Sequence, residues 1–322
     1  MLHFNIIAIF LMLNLYIQCN FAYAKNLIFI PGLGEIKRLE ATIDNLKYLA
    51  SFNNFVENWD CIVYIYDDQL NTSTLEPYCE PIVMHNNLIS DSMKMLTPLI
   101  MSDNGYEYIF LLLDDIKLCV KETEVSNLMQ LEYAHKHRLE MRDYCNFNLS
   151  HVVDIMTSNN LTLVQPRVIG AAVNKFQPWR AMTSAPLSVN GTAGCLFPNL
   201  EMFAYIMTQD GYSALWDLIL PDINPYGWGY GYWYNGYATH INPYHKMGVI
   251  SIFEVIHTHA FGGSKADSAS NTKKLKCMYS QESYFKKNYN ISLSDMRMNT
   301  NHPDTFNYNN AEIKQCSSVI NL

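Results

Sequence analysis

Apolar residues along this chain follow two rhythms. The first is the apolar run: Asn26-Leu-Ile-Phe-Ile30, Cys61-Ile-Val-Tyr-Ile-Tyr66, Ile109-Phe-Leu-Leu-Leu113 leading straight into Asp114-Asp115-Ile-Lys117, and Val249 to Ile256. Runs of this length bounded by turn residues predict strands buried on both faces. The second is a spacing of three and four. Ile36, Leu39, Ile43, Leu46 and Leu49 predict a helix from about Glu35 to Ala50 with one inward face. Strand, glycine turn, helix, strand is a βαβ unit, which requires parallel pairing and a right-handed crossover. Further helices are predicted over Pro81 to Ile100, Glu122 to Arg142 and Asn199 to Leu220, the last with Phe203, Ile206, Met207, Leu215 and Ile219 inward. Leu161 to Pro166 reads as a strand stopped by its proline. Asn224 to Trp233 alternates glycine with large aromatics and reads as a loop. After Gly262-Gly263 the chain turns polar, and residues 264–322 read as a peripheral extension of an α/β domain over 25–263.

Charge and cysteine usage narrow the class. A formal charge of −8 with no Lys/Arg cluster argues against a nucleic-acid partner. Phe4 to Ile17 is apolar but short for a spanning helix, and Ala22-Tyr-Ala24 fits a signal-peptidase site. Residues 1–24 therefore read as a cleaved signal peptide; a membrane association requires the segment to stay uncleaved. Asn71, Asn148, Asn160, Asn190 and Asn290 each open an N-glycosylation acceptor triplet. Beyond Cys19 there are seven cysteines, an odd number that leaves one thiol unpaired in an oxidising compartment. Cys61–Cys79 and Cys277–Cys316 are the expected bridges, with Cys119 the expected free thiol.

The candidate chemistry sits at strand ends. Asp114 and Asp115 close a central strand, where open α/β sheets bind ligands. Adjacent carboxylates repel unless a proton or cation intervenes, and a hard divalent cation carrying a phosphate-bearing substrate satisfies both. Pro31-Gly-Leu-Gly34 lets a ligand approach the backbone closely. His257 and His259 lie two apart at a strand end, so both can face one site. His135 and His137, on a predicted helix, cannot. The aromatic loop around Trp228 can stack on sugar rings; a packed loop with no ligand is the other reading.

In this order the pieces resemble a glycosyltransferase-like family of the GT-A type, close to the uncharacterised group labelled domain of unknown function 707. The resemblance runs from about Asn26 to Gly263. It rests on Tyr106 to Asp115, Val164-Gln-Pro166, Tyr226-Gly-Trp-Gly229 and Val255-Ile-His257. It implies a single domain with a Rossmann-like, mostly parallel sheet, a nucleotide-sugar site over the carboxyl edge, and an acidic metal motif using manganese or magnesium. Asp115 matches the last acidic residue of that motif and Asp114 the central one, which leaves Leu113 in the first acidic place. In the other register Asp114 is first and Ile116 replaces the last acid. His257 matches a late histidine of the metal shell, with His259 behind it. Pro31, Gly32, Gly34, Asp67, Asp68 and Asp114 fall in the nucleotide-sugar region. Trp228, Gly229, Tyr230 and Trp179 fall where acceptor or sugar contacts are expected. Related sequences often carry an acid just after the Gly-Trp-Gly turn; here Tyr230 and Gly231 stand there, and Asp222 and Glu254 are the nearest substitutes as base.

The implied activity is metal-dependent transfer of a sugar from a nucleotide-sugar donor to a glycan or glycoprotein acceptor, in the lumen of the secretory pathway or after secretion. A degenerate relative that binds glycan or nucleotide without turnover is the alternative, and a metal-dependent hydrolase is a third.

Overall fold

Leu27 and Phe29 point to one side of a sheet and Ile28 and Ile30 to the other, each nearly devoid of solvent contact. That alternation over a continuous apolar run is what a strand covered on both faces requires. The computed structural model describes residues 26–52, 58–66, 70–84, 88–101, 105–129, 140–169, 192–196, 200, 202–258, 268–296 and 319–321.

The chain begins β1 (Asn26–Leu33), α1 (Ile36–Ala50), β2 (Trp59–Ile65), β3 (Glu80–Val83), α2 (Ile89–Ile100) and β4 (Tyr108–Leu112). There follow β5 (Ile116–Lys117), α3 (Glu122–Met129), α4 (Leu149–Asn159), β6 (Leu163–Ile169) and β7 (Thr192–Leu196). The remainder is β8 (Ala204–Thr208), α5 (Gln209–Leu218), α6 (Tyr230–Ile241), β9 (Met247–His257), α7 (Ser268–Tyr289), α8 (Leu293–Met296) and β10 (Val319–Asn321). The ten described strands form one sheet, nine of them in the order β10-β7-β9-β6-β8-β4-β1-β2-β3 and β5 joined to it through β9. β3, β2, β1 and β4 are parallel, as the βαβ pattern requires. β8 runs antiparallel to both β4 and β6, and β6 is parallel to β9. Two reversals restore the direction, so β1, β2, β3, β4, β6 and β9 all end on one edge.

Two helical layers cover the sheet. Leu39, Leu46 and Leu49 of α1 and Val152, Ile155 and Met156 of α4 pack on the Ile28 face. Met93 and Leu96 of α2, Leu215 of α5, Trp233 and Tyr234 of α6 and Phe285 of α7 pack on the Phe29 face. This is a three-layer α/β architecture.

Several local expectations change. Ile36, expected inward, is 68% exposed, because the inward stripe of α1 starts at Leu39. Pro81 opens no helix: it lies in β3 paired with Val63, at the sheet edge where a missing N–H is tolerated. Phe203, Ile206 and Met207 belong to a strand and its approach, and helix begins only at Gln209, capped by the Thr208 side chain. Helix after Glu122 is described only to Met129, and Tyr144 instead bridges Val120. Pro166 lies inside β6, beyond Val164 where the β8 ladder stops, and a register shift follows it. The loop expected over Asn224 to Trp233 becomes helix at Tyr230, with Tyr230, Trp233 and Tyr234 fully buried.

The cysteines pair differently. Cys61–Cys79 forms as expected. Cys119 is bonded to Cys145, and Cys277 is the free thiol among the described residues, its expected partner Cys316 lying outside them. Cys195 is also oxidised. Nor is the polar C-terminal stretch peripheral: Met278, Phe285, Leu293 and Ile320 are buried, and β10 pairs with β7. Among the described residues no helix is long and apolar enough to cross a membrane.

Candidate functional site

β4 and β9 end on the same edge but are separated by β8 and β6. The chain closes that gap itself. After Leu112 it crosses the edge, held where the Leu113 N–H donates to the Phe203 carbonyl at 2.9 Å. It then pairs Ile116 with His257 and Lys117 with Ile256. The backbone N–H and the hydroxyl of Thr258 both donate to the Asp115 carbonyl, each at 2.8 Å. Asn45, buried on α1, donates to the Ile116 carbonyl at 2.6 Å and accepts from the Leu118 N–H at 2.8 Å. The acidic pair is thus pinned from the strand side and from the helix side.

The two carboxylates go separate ways. Asp115 Oδ2 lies 3.1 Å from His257 Nε2, and the His257 ring packs on Phe203 with centroids 4.7 Å apart. Asp114 instead accepts from Arg38 Nη1, at 2.9 Å to Oδ1 and 3.2 Å to Oδ2. Burial pushes the Asp114 carboxyl up to about 7; Arg38 opposes that rise and Asp115 adds to it. Arg38 is in the first turn of α1, just after the glycine turn, and nothing in its sequence context marked it as a site residue.

Pro31, Gly32 and Gly34 lie at the end of β1 on this same edge. The Tyr66 ring rests on them: a Cβ at Gly34 would fall 1.9 Å from its Cε2, and one at Gly32 2.8 Å from its Cε1. Ser92 of α2 donates to the Pro31 carbonyl. The recess between Pro31, Tyr64, Tyr66, Met84, Leu88 and Ser92 measures about 10 Å³. Ligand pockets for nucleotide-sized molecules run to several hundred Å³, so such a ligand over these glycines requires Tyr66, 45% exposed, to move aside.

The Gly-Trp-Gly turn joins the same region through α2. The Ser90 N–H donates to the Pro225 carbonyl at 3.1 Å and the Ser90 hydroxyl to that of Asn224 at 2.6 Å. From outside, α7 holds the turn: Gln281 meets Asn224 at 2.8 Å, and Lys274 lies over the Trp228 ring. Gly227 and Gly229 have φ of +65° and +96°, which glycine alone adopts at little cost. Trp228 is exposed; Tyr230 is fully buried with its hydroxyl 2.9 Å from that of Ser90, so it serves packing.

Of the two candidate bases, Glu254 is buried between Arg142 Nη2 at 2.5 Å and Arg167 Nη1 at 2.9 Å. Its lone pairs are committed, and strand alternation turns it away from His257. Asp222 is exposed in the turn that follows α5. Asp67, Asp68, Trp179 and His259 lie outside the described residues. Among the described residues no third His, Cys, Asp or Glu joins Asp115 and His257. One carboxylate and one imidazole fit part of a manganese or magnesium shell; the other ligands would be substrate oxygens or water.

No family model matches the chain, and no curated protein matches it by sequence. Solved structures do. It overlays GalNAc-T7 with UDP, GalNAc and Mn2+ at a TM-score of 0.50 and 7% identity, covering 83% of this chain and 50% of that one. A mannosyltransferase, PcManGT from Pyrobaculum calidifontis in complex with GDP-Man and Mn2+, gives 0.48 and 7%, covering 83% and 65%. S. aureus TarS 1-349 in complex with UDP-GlcNAc gives 0.47 and 11%, covering 84% and 69%. The fold is that of the GT-A glycosyltransferases, and the chain spans half the length of the GalNAc-T7 chain.

Proposed function

We propose that this chain is a glycosyltransferase that moves a sugar from a nucleotide-sugar donor to a glycan or glycoprotein acceptor, with manganese or magnesium as cofactor. One observation carries the reading: Asp115 and His257, 142 positions apart, stand 3.1 Å from each other at the carboxyl edge of a GT-A sheet. Bound there, a divalent cation would neutralise charge on the diphosphate leaving group. Asp115 and His257 would hold it. A mixed oxygen and nitrogen pair suits manganese better than magnesium. Pro31, Gly32 and Gly34 offer backbone to the donor once Tyr66 swings away. Trp228 is the exposed ring of the acceptor side, and Asp222 is the acid left to take the acceptor proton.

Two disulfides fit an oxidising compartment, in keeping with a secretory role. Asn71, Asn160 and Asn290 are exposed glycan acceptors; the Asn148 side chain caps α4 by accepting from the His151 N–H. Kinship with the group labelled domain of unknown function 707 belongs to the same reading. The test is a screen of nucleotide-sugar donors with manganese, read as nucleotide release with and without glycan acceptors. Failure of every donor to bind or turn over would overturn the reading. Binding without release favours a non-catalytic relative, a reading supported by Leu113 in the first acidic place and by Asp114 engaged with Arg38.

A further inference from the structure

Beside the acidic pair stands a cation: Arg38 Nη1 lies 2.9 Å from Asp114 Oδ1. We propose that Arg38 is a fixed cationic contact for the donor's diphosphate, positioned by Asp114, so that part of the affinity for a nucleoside diphosphate needs no metal ion. The inference rests on the glycosyltransferase reading above and names a residue that reading does not use.

Four features carry it. Only Nη1 of Arg38 is committed to Asp114, and among the described residues Nη2 has no acceptor. The side chain is 25% exposed, so it is not sealed off from a ligand in solution. Arg38 lies in the first turn of the 15-residue helix that follows the glycine turn at the carboxyl edge. No side chain caps that helix: at its N-cap, Glu35 turns its carboxylate toward Arg38, so the Ile36 and Lys37 N–H groups keep no side-chain acceptor among the described residues. A guanidinium stays charged at any working pH and presents a planar fork that fits phosphate oxygens. Its nearest acidic neighbours set its direction: Asp114 grips it, Glu35 lies 3.6 Å from Nε, and Asp115 adds attraction.

The experiment uses the full chain and four probes, uridine diphosphate, guanosine diphosphate and the two matching monophosphates, by calorimetry with Mn2+ and with EDTA. At least one diphosphate should bind the unaltered protein in EDTA, more weakly than with Mn2+. Arg38→Ala should weaken that EDTA-resistant affinity about tenfold or more, Arg38→Lys should recover part of it, and the monophosphate should change less than threefold. Asp115→Asn should remove the Mn2+ gain and keep the EDTA-resistant part. Asp114→Asn, which frees the guanidinium, should cost a fewfold with the same thermal midpoint. Diphosphate binding that requires Mn2+ absolutely overturns the proposal and leaves the glycosyltransferase reading standing. So does equal loss of mono- and diphosphate affinity in Arg38→Ala and Arg38→Lys, the mark of a structural role. Absence of all nucleotide binding overturns both.

Discussion

His257 Nε2 approaches Asp115 Oδ2 to 3.1 Å because Ile116 and His257 are cross-strand partners in a two-residue ladder. The contact is therefore set by backbone register and does not depend on either long-range charge or a bound ion. Removing one side chain should leave the ladder intact. Asp115→Asn and His257→Ala are each expected to lower manganese-dependent nucleotide affinity by about a hundredfold or more, with an unchanged circular dichroism spectrum. Titration of Mn2+ into each variant in the presence of a nucleoside diphosphate checks this. Wild-type manganese dependence in either one excludes that residue from the metal shell.

Asn45 is the second support of the same crossing. Its amide serves the Ile116 carbonyl and the Leu118 N–H, both buried. Asn45→Ala strands two backbone groups, and each unsatisfied group costs about 1–3 kcal/mol. The expected loss is about 2–6 kcal/mol in urea unfolding, accompanied by weaker metal binding. A loss under about 1 kcal/mol would mean that the crossing is held without Asn45.

His245 makes stability depend on pH. Burial pushes its imidazole from 6.5 down to about 4. Nδ1 lies 2.6 Å from the Thr162 hydroxyl, and Nε2 is enclosed with no partner among the described residues. Between pH 6.5 and 4 the unfolded chain takes up a proton that the folded one refuses, so stability falls as pH drops through that window. The expected contribution is on the order of 2–3 kcal/mol. Urea midpoints at pH 7 and pH 5 measure it, and His245→Gln should flatten the difference. An equal pH response in that variant refutes the assignment.

Cutting the chain after Gly263 should abolish folding. Met278, Phe285, Leu293 and Ile320 are buried in the sheet-packed cores, and four such side chains contribute about 6–12 kcal/mol, comparable with the whole stability of a domain. Gln281, fully buried, also donates to the Leu218 carbonyl at 2.5 Å. A truncated protein with a cooperative thermal transition would show that these helices are dispensable.

Much of this was legible in one dimension. The buried strands of the parallel half announce themselves as apolar runs, and α1 by its three-four spacing from Leu39. Asp115 and His257 are readable as strand-end groups, but their meeting depends on β8 reversing the sheet, and the sequence of β8 reads as helix. Ala204 to Thr208 is as apolar as a buried helix turn, so periodicity cannot separate the two over five residues. Composition misled at Asn224 to Trp233, where glycine and aromatics suggested an open platform. In space the positive-φ glycines end at Gly229, and the rings of Tyr230, Trp233 and Tyr234 pack as α6. Arg38 was invisible because its role depends on Asp114, 76 positions away. Polarity concealed α7, whose buried side is narrow.

The free thiol of Cys277 is half-buried on α7, three and four positions after the lysines that lie over Trp228 and Tyr226. With the other described cysteines oxidised, a maleimide dye can be attached at that point without engineering any of them. Such a dye would ride on the helix that clasps the Gly-Trp-Gly turn, and a change in its emission on adding sugar would report occupancy of that turn in real time.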